Sequence, residues 1–167
     1  MNKPILASAI LALAIAGCVK KPKTLPPPPA TAGDTGPATP TDGGAPVPGS
    51  QADFLAKVMS DRIFFATDSS DVDAEDQATL RSQVAWLEQY PRVRATIEGH
   101  ADERGTREYN IALGERRANS TKNALAALGV DPGRMTVISY GKERPDAMGS
   151  DEAAWAKNRR AVTVTVQ

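Results

Sequence analysis

Residues of opposite charge that can face one another across a small pocket are the strongest chemical signal in this chain. The segment Glu98-Gly99-His100-Ala101-Asp102-Glu103-Arg104-Gly105-Thr106 joins the end of a strand pattern to the start of a helix pattern. Loops of that kind bring backbone N–H groups and side chains to one mouth. Gly99 and Gly105 are expected to supply unusual backbone angles. In the helix after this loop, stepping about 100° per residue from Asn110 places Leu113, Arg117, Thr121, Ala124 and Leu128 within about 60° of it. Leu113, Ala124 and Leu128 are expected to face a sheet, so Asn110 and Arg117 share an inward stripe. A guanidinium at a core boundary is costly unless it is paired. Asp102 and Arg117 can then form the two walls of a pocket, a carboxylate for an amine and a fork for a carboxylate. A ligand that carries both groups is an amino acid. The alternative for Arg117 is an edge position, with its head in water or on a structural carboxylate.

Other chemistries fit less well. His100 is the only histidine and has Asp102 nearby, as a general base would. However, there is no G-x-S-x-G elbow, no cysteine after Cys18 and no histidine cluster of metal-binding type. An enzyme is therefore not expected, and His100 reads as a loop-packing residue hydrogen-bonded to backbone. Asp68, Asp71, Asp73, Glu75 and Asp76 crowd together. A calcium loop begun at Asp71 would need Gly and Glu where Asp76 and Ser82 stand. Those acids read instead as solvated groups favoured at a helix N-terminus. Trp86 and Trp155 are candidates for a surface that serves purely as an adaptor to other proteins, or for partly buried core.

The elements that would position these residues can be read from periodicity. Ile63-Phe64-Phe65 is a short strand candidate. Asp73 caps a helix carrying Leu80, Val84 and Leu87, which stops before Pro91. Val93, Ala95 and Ile97 alternate with Arg94, Thr96 and Glu98 as a strand with one wet face. Thr106 caps a helix running to Gly129. Met135–Tyr140 reads as a strand, Asp151–Lys157 as a short helix, and Val162, Val164 and Val166 as a last strand. Strands alternating with helices make a layered α/β domain, assigned to residues 51–167.

The rest of the chain has a different composition. Of 13 prolines, only Pro91, Pro132 and Pro145 lie beyond Pro48. Residues 51–167 hold 16 Lys/Arg against 18 Asp/Glu, which argues against a nucleic-acid binder. Ile5–Gly17 is apolar or small and too short for a bilayer span of ~20 residues, so residues 1–17 suit a secretory signal. Ile15-Ala16-Gly17-Cys18 resembles the bacterial lipobox. That resemblance implies cleavage before Cys18 and acylation of its thiol, with palmitate or similar chains. Two or more chains anchor stably, each buried CH₂ contributing ~0.8 kcal/mol. Val19 stands where an Asp often marks inner-membrane retention, so the outer membrane is expected. Residues 18–50, rich in Pro, Gly, Ala and Thr, are expected to be a disordered tether. Fully extended, such a tether reaches at most ~100 Å.

Glu98 to Leu113 with Arg116-Arg117-Ala118, Ile138-Ser139-Tyr140-Gly141-Lys142-Glu143-Arg144-Pro145, and Asn158-Arg159-Arg160-Ala161-Val162 together resemble the OmpA-like peptidoglycan-binding domain family. The lipobox and tether extend the likeness to the lipoproteins of the Tol–Pal system. The resemblance implies a βαβαβ(α)β domain with a mixed sheet and helices packed on it. It implies a ligand, the diaminopimelate side chain of the peptidoglycan stem peptide, with Asp102 on the ammonium and Arg117 on the carboxylate. Asn110, Arg104 and Asp68 match family positions that line the same groove. It implies TolB and other Tol proteins as partners, a domain facing the periplasm, and a role in envelope integrity and outer-membrane constriction at division. No cofactor or metal is expected beyond the lipid on Cys18. Two departures stand out: Ala101 where many relatives have Thr, and Thr67 where some carry an aromatic.

Overall fold

The computed structural model describes residues 45–167. The signal sequence expected over 1–17, Cys18 and most of the tether expected over 18–50 lie outside the described residues. After a turn at Val47–Ser50 come α1 (Gln51–Lys57), β1 (Arg62–Phe64), α2 (Ala74–Gln89), β2 (Arg94–His100) and α3 (Arg107–Ala127). A short 3₁₀ turn leads into β3 (Met135–Gly141), α4 (Glu152–Asn158) and β4 (Arg160–Val166). The sheet order is β1-β4-β2-β3. The β2–β3 pair is parallel, while β4 runs antiparallel to both β1 and β2. This is the mixed α/β architecture expected from the periodicity and the family resemblance.

Local chemistry sets the helix starts. Asp73, Thr106 and Asp151 each accept the backbone N–H three residues on, and so satisfy donors that a helix leaves unpaired. Helix α1 has no counterpart among the elements expected from the sequence. In it the Ser50 hydroxyl accepts from Asp53 N, and Phe54 is fully buried. Seven residues hold barely two turns, too few for an apolar period to show.

The core lies between the sheet and α2 and α3. Ile63, Leu80, Leu87, Ile97, Leu125 and Met135 are all essentially inaccessible. The apolar end of α3 differs from expectation. Leu125 is fully buried, whereas Ala124 and Leu128 are half-buried and only border the core. Leu128 is already the C-cap, where the helix is leaving the sheet. Trp86 is core too: its ring meets Phe54 edge-on at 5.0 Å and its N–H donates to Asp53 Oδ2.

Gly99 plays a different part from the one expected. It does not have a positive φ, but a Cβ there would run into the Gly114 carbonyl of α3. Glycine at both positions lets helix and strand backbones touch. Gly105 does adopt a left-handed φ of 84°. The β2–β3 register shifts between Gly99 and His100. Bulges of this kind bend a strand and re-aim the chain beyond it, here the loop that begins at Ala101.

Candidate functional site

Three elements meet at the carboxyl ends of β1 and β2, where α/β sheets commonly place ligands. The turn after β1 brings Thr67 and Asp68. The loop after β2 brings Asp102, Arg104 and Gly105. The first turns of α3 bring Tyr109, Asn110, Leu113 and Arg117. Together they line one cavity of about 280 Å³. All five residues singled out from the sequence, Asp68, Asp102, Arg104, Asn110 and Arg117, are on its wall.

Arg117 is fully buried and so does not reach for water at a helix edge. Its Nε donates to the Ser69 carbonyl at 2.9 Å, Nη1 to His100 at 2.9 Å and Nη2 to Ala66 at 3.0 Å. Of the five N–H groups of a guanidinium, these bonds leave one on each terminal nitrogen. Its structural partners are thus main-chain carbonyls rather than a carboxylate, and they tie α3 to both loops of the site. Burial pulls its pKa down to about 10, against the opposing charges of Asp102 and Asp68, so it stays cationic at neutral pH.

Asp102 is also buried. Arg104 donates to it three times: from its backbone N and Nε to Oδ1 (3.1 and 3.0 Å) and from Nη2 to Oδ2 (2.6 Å). Arg159 Nη1 lies 3.6 Å from Oδ2. Burial pushes this carboxyl up, but the Arg104 hydrogen bonds and the charges of Arg104 and Arg159 outweigh it. They hold Asp102 below the usual carboxylate range. An ionised carboxylate accepts about four hydrogen bonds, so Asp102 retains room for a further donor.

The remaining residues shape the pocket. Asn110 is buried, and its amide nitrogen donates to the carbonyls of Arg104 and Thr106, holding the loop against α3. Asp68 has φ 54°, the one positive value among described non-glycine residues. Strain of that kind collects at functional sites. Its Oδ1 accepts from the Tyr109 hydroxyl at 3.3 Å. Thr67 Oγ1 lies 3.5 Å from Arg104 Nη2. Ala101 is buried, with its N–H on the Gly141 carbonyl.

Several expectations need correction or completion. His100 ends β2 rather than lying in the loop, and neither ring nitrogen has a hydrogen-bond partner; Glu98 Oε2 is 3.8 Å away. Asp76 is not solvated. It is buried under Phe64 N, and burial raises its pKa. Trp155, singled out in the sequence only as adaptor surface or partial core, and Arg159, present there only within the family resemblance, adjoin the site. Arg159 is reached across nearly sixty residues from Asp102, and no local pattern announces a contact of that span.

A layered domain with a pocket at its strand ends, walled by a buried carboxylate and a buried guanidinium, defines the class. The model of the OmpA family matches residues 64–159, and the chain belongs to that family. Within it, the chain groups with the peptidoglycan-associated lipoproteins. It is 51% identical to that of Agrobacterium fabrum over 163 residues, covering 98% of this chain and 88% of the relative. Against that of Brucella melitensis it is 52% identical, covering 98% and 92%. The crystal structure of the peptidoglycan-associated lipoprotein from Burkholderia pseudomallei superposes with a TM-score of 0.63 at 44% identity. That match covers 68% of this chain and 93% of the other.

Proposed function

We propose that this protein is a non-catalytic anchor that binds peptidoglycan and ties the outer membrane to it. The observation that carries the reading is one cavity walled by a buried carboxylate and a buried guanidinium, each with hydrogen-bonding capacity left. Asp102 takes the ammonium, and Arg117 takes the carboxylate, of a diaminopimelate side chain in the stem peptide. Asp68, Arg104 and Asn110 shape the same groove. The kinship with peptidoglycan-associated lipoproteins supports the wall as the source of that ligand.

In this reading residues 1–17 are removed, Cys18 carries the lipid, residues 18–50 are the tether and residues 51–167 are the wall-binding domain. The domain faces the periplasm, needs no cofactor, and works with TolB and other Tol proteins in envelope integrity and constriction at division. The test is co-sedimentation of the soluble chain, begun at residue 18 with Cys18→Ser, with purified diaminopimelate-type peptidoglycan. The parent is expected in the pellet, and folded Asp102→Asn in the supernatant. A folded parent that stays in solution would sink the reading and leave a protein-adaptor role.

A further inference from the structure

Trp155 is a large aromatic used outside the core. It is half-buried and does not belong to the apolar cluster beneath the sheet. Instead it contacts two successive residues of the binding loop. Its indole N–H donates to Glu103 Oε1 at 3.1 Å, and the Arg104 guanidinium carbon lies 4.1 Å from its ring centroid. The other side of that guanidinium's reach is Asp102, on both carboxylate oxygens. An arginine side chain this exposed has many rotamers to choose from. An aromatic face fixes its position by cation–π attraction and excludes most of them.

Helix α4 has other anchors. Asn158 bonds the backbone of Asp146 and Ala147, and Arg159 Nε bonds the Phe65 carbonyl. Helix α4 is thus tied down by residues other than Trp155, whose own polar contacts are with the loop.

We infer that Trp155 is a positioning residue: it holds Arg104 against Asp102, and so sets the geometry in which Asp102 meets its ligand. This deepens the proposed function and rests on it for the identity of the ligand. Trp155 itself is not on the cavity wall.

The test uses the soluble chain with Cys18→Ser and four variants: Trp155→Phe, Trp155→Ala, Arg104→Ala and Trp155→Ala with Arg104→Ala. Circular dichroism confirms that each is folded. The two readouts are the NMR signal of the Arg104 Nε–H in free protein and calorimetric affinity for the tripeptide L-Ala-D-Glu-meso-diaminopimelate. Trp155→Ala is expected to shift the Arg104 signal and speed its exchange. It should also weaken binding by about two- to thirtyfold, the range of a cation–π contact. Trp155→Phe keeps a ring and loses only the bond to Glu103, so it should retain most of the affinity. In the Arg104→Ala background, removing Trp155 should add nothing, because coupled residues are non-additive. Additive losses, or an Arg104 signal indifferent to Trp155, would overturn the inference. A parent that fails to bind the tripeptide while its Arg104 signal still depends on Trp155 would overturn the proposed ligand and leave the positioning role standing.

Discussion

Arg159 Nη1 is buried, has no hydrogen-bond partner and lies 3.6 Å from Oδ2 of Asp102. The pairing is too long for a hydrogen bond, yet close enough for the two charges to stabilise each other in a poorly solvated place. Asp102 is thereby held by one cation that reaches it from the solvent side, Arg104, and one that is buried, Arg159. In the proposed reading, an ammonium arriving at Asp102 would meet a carboxylate already kept ionised.

Asp102→Asn removes the charge and keeps the shape. A charge-assisted contact of this kind contributes about 1.5–3 kcal/mol, so wall affinity should fall by about ten- to a hundredfold. Sedimentation isotherms of folded parent and variant measure it. The same carboxyl sets a pH window. Its folded pKa is depressed, so its contribution to stability is complete above the unfolded value near 4. That contribution declines as pH falls below it and is gone once pH has fallen through the lower folded value. Binding should therefore persist down to the ordinary carboxylate range and fail below it.

Arg117→Ala is a poorer probe of binding than its place in the pocket suggests. The change strands the carbonyls of Ser69, Ala66 and His100, which now accept from the guanidinium. Ala66 and Ser69 are accessible enough for water to replace the guanidinium, but the bond to His100 is buried, and a buried acceptor without a partner costs about 1–3 kcal/mol. The variant should melt well below the parent as well as lose wall binding. Equal melting temperatures would show that water replaces the guanidinium at no cost.

Gly99→Ala tests the helix–strand contact beneath the site. Its Cβ would meet backbone, the Gly114 carbonyl, and not a yielding side chain. Overpacking of this kind should cost about 3 kcal/mol or more. Gly105→Ala places its Cβ in ordinary contact range of Tyr109 and Asn110, so its penalty is backbone strain at φ 84°. Thermal melts of the two should separate steric from conformational demand, with Gly99→Ala the lower.

Much of the fold is legible in the sequence because it is local. Caps at Asp73 and Thr106, and the two- and 3.6-residue periods, are properties of neighbouring residues. The inward stripe that joins Asn110 to Arg117 is another. Contacts made by folding are not local. Nothing near Trp155 indicates that it shelves Arg104, and nothing near Gly99 indicates that Gly114 lies on it. The expectation for Gly99 rests on the common reason for a loop glycine, an unusual φ, where the actual reason is close approach. The partners of Arg117 are hidden as well, since main-chain carbonyls carry no sequence signature.

Asp53 explains how the chain enters the domain. Its carboxylate accepts from Gly49 N at 3.1 Å and Trp86 Nε1 at 3.0 Å, and pairs with Lys57 Nζ at 2.9 Å. Lys57 is the main cause, and the other donors help to hold the pKa at about 2 despite burial. The unfolded value is near 4, so the stabilisation is present above it and is lost as pH falls through about 2. Asp53→Asn should lower the melting temperature at neutral pH and narrow its gap to the parent in strong acid. A constant gap across that range would show that charge is not what Asp53 contributes.

His100 should give the domain a second acid sensitivity of the same sign, in a milder range. Its ring is buried beside Tyr140, centroids 5.6 Å apart, and both nitrogens lack partners. Glu98 lies 3.8 Å away and favours the protonated ring, while burial and the buried Arg160 oppose it. Burial dominates and lowers the folded pKa. The unfolded chain therefore takes up a proton near pH 6.5 while the folded one does not. Stability is complete above that value and declines as pH falls below it. His100→Phe removes the titration and keeps an aromatic next to Tyr140. Its melting temperature should be nearly flat from about pH 7 to the onset of carboxylate titration near pH 4, where the parent slopes downward. Parallel curves would mean that Glu98 offsets the burial of the ring and that His100 titrates in the fold as it does in water.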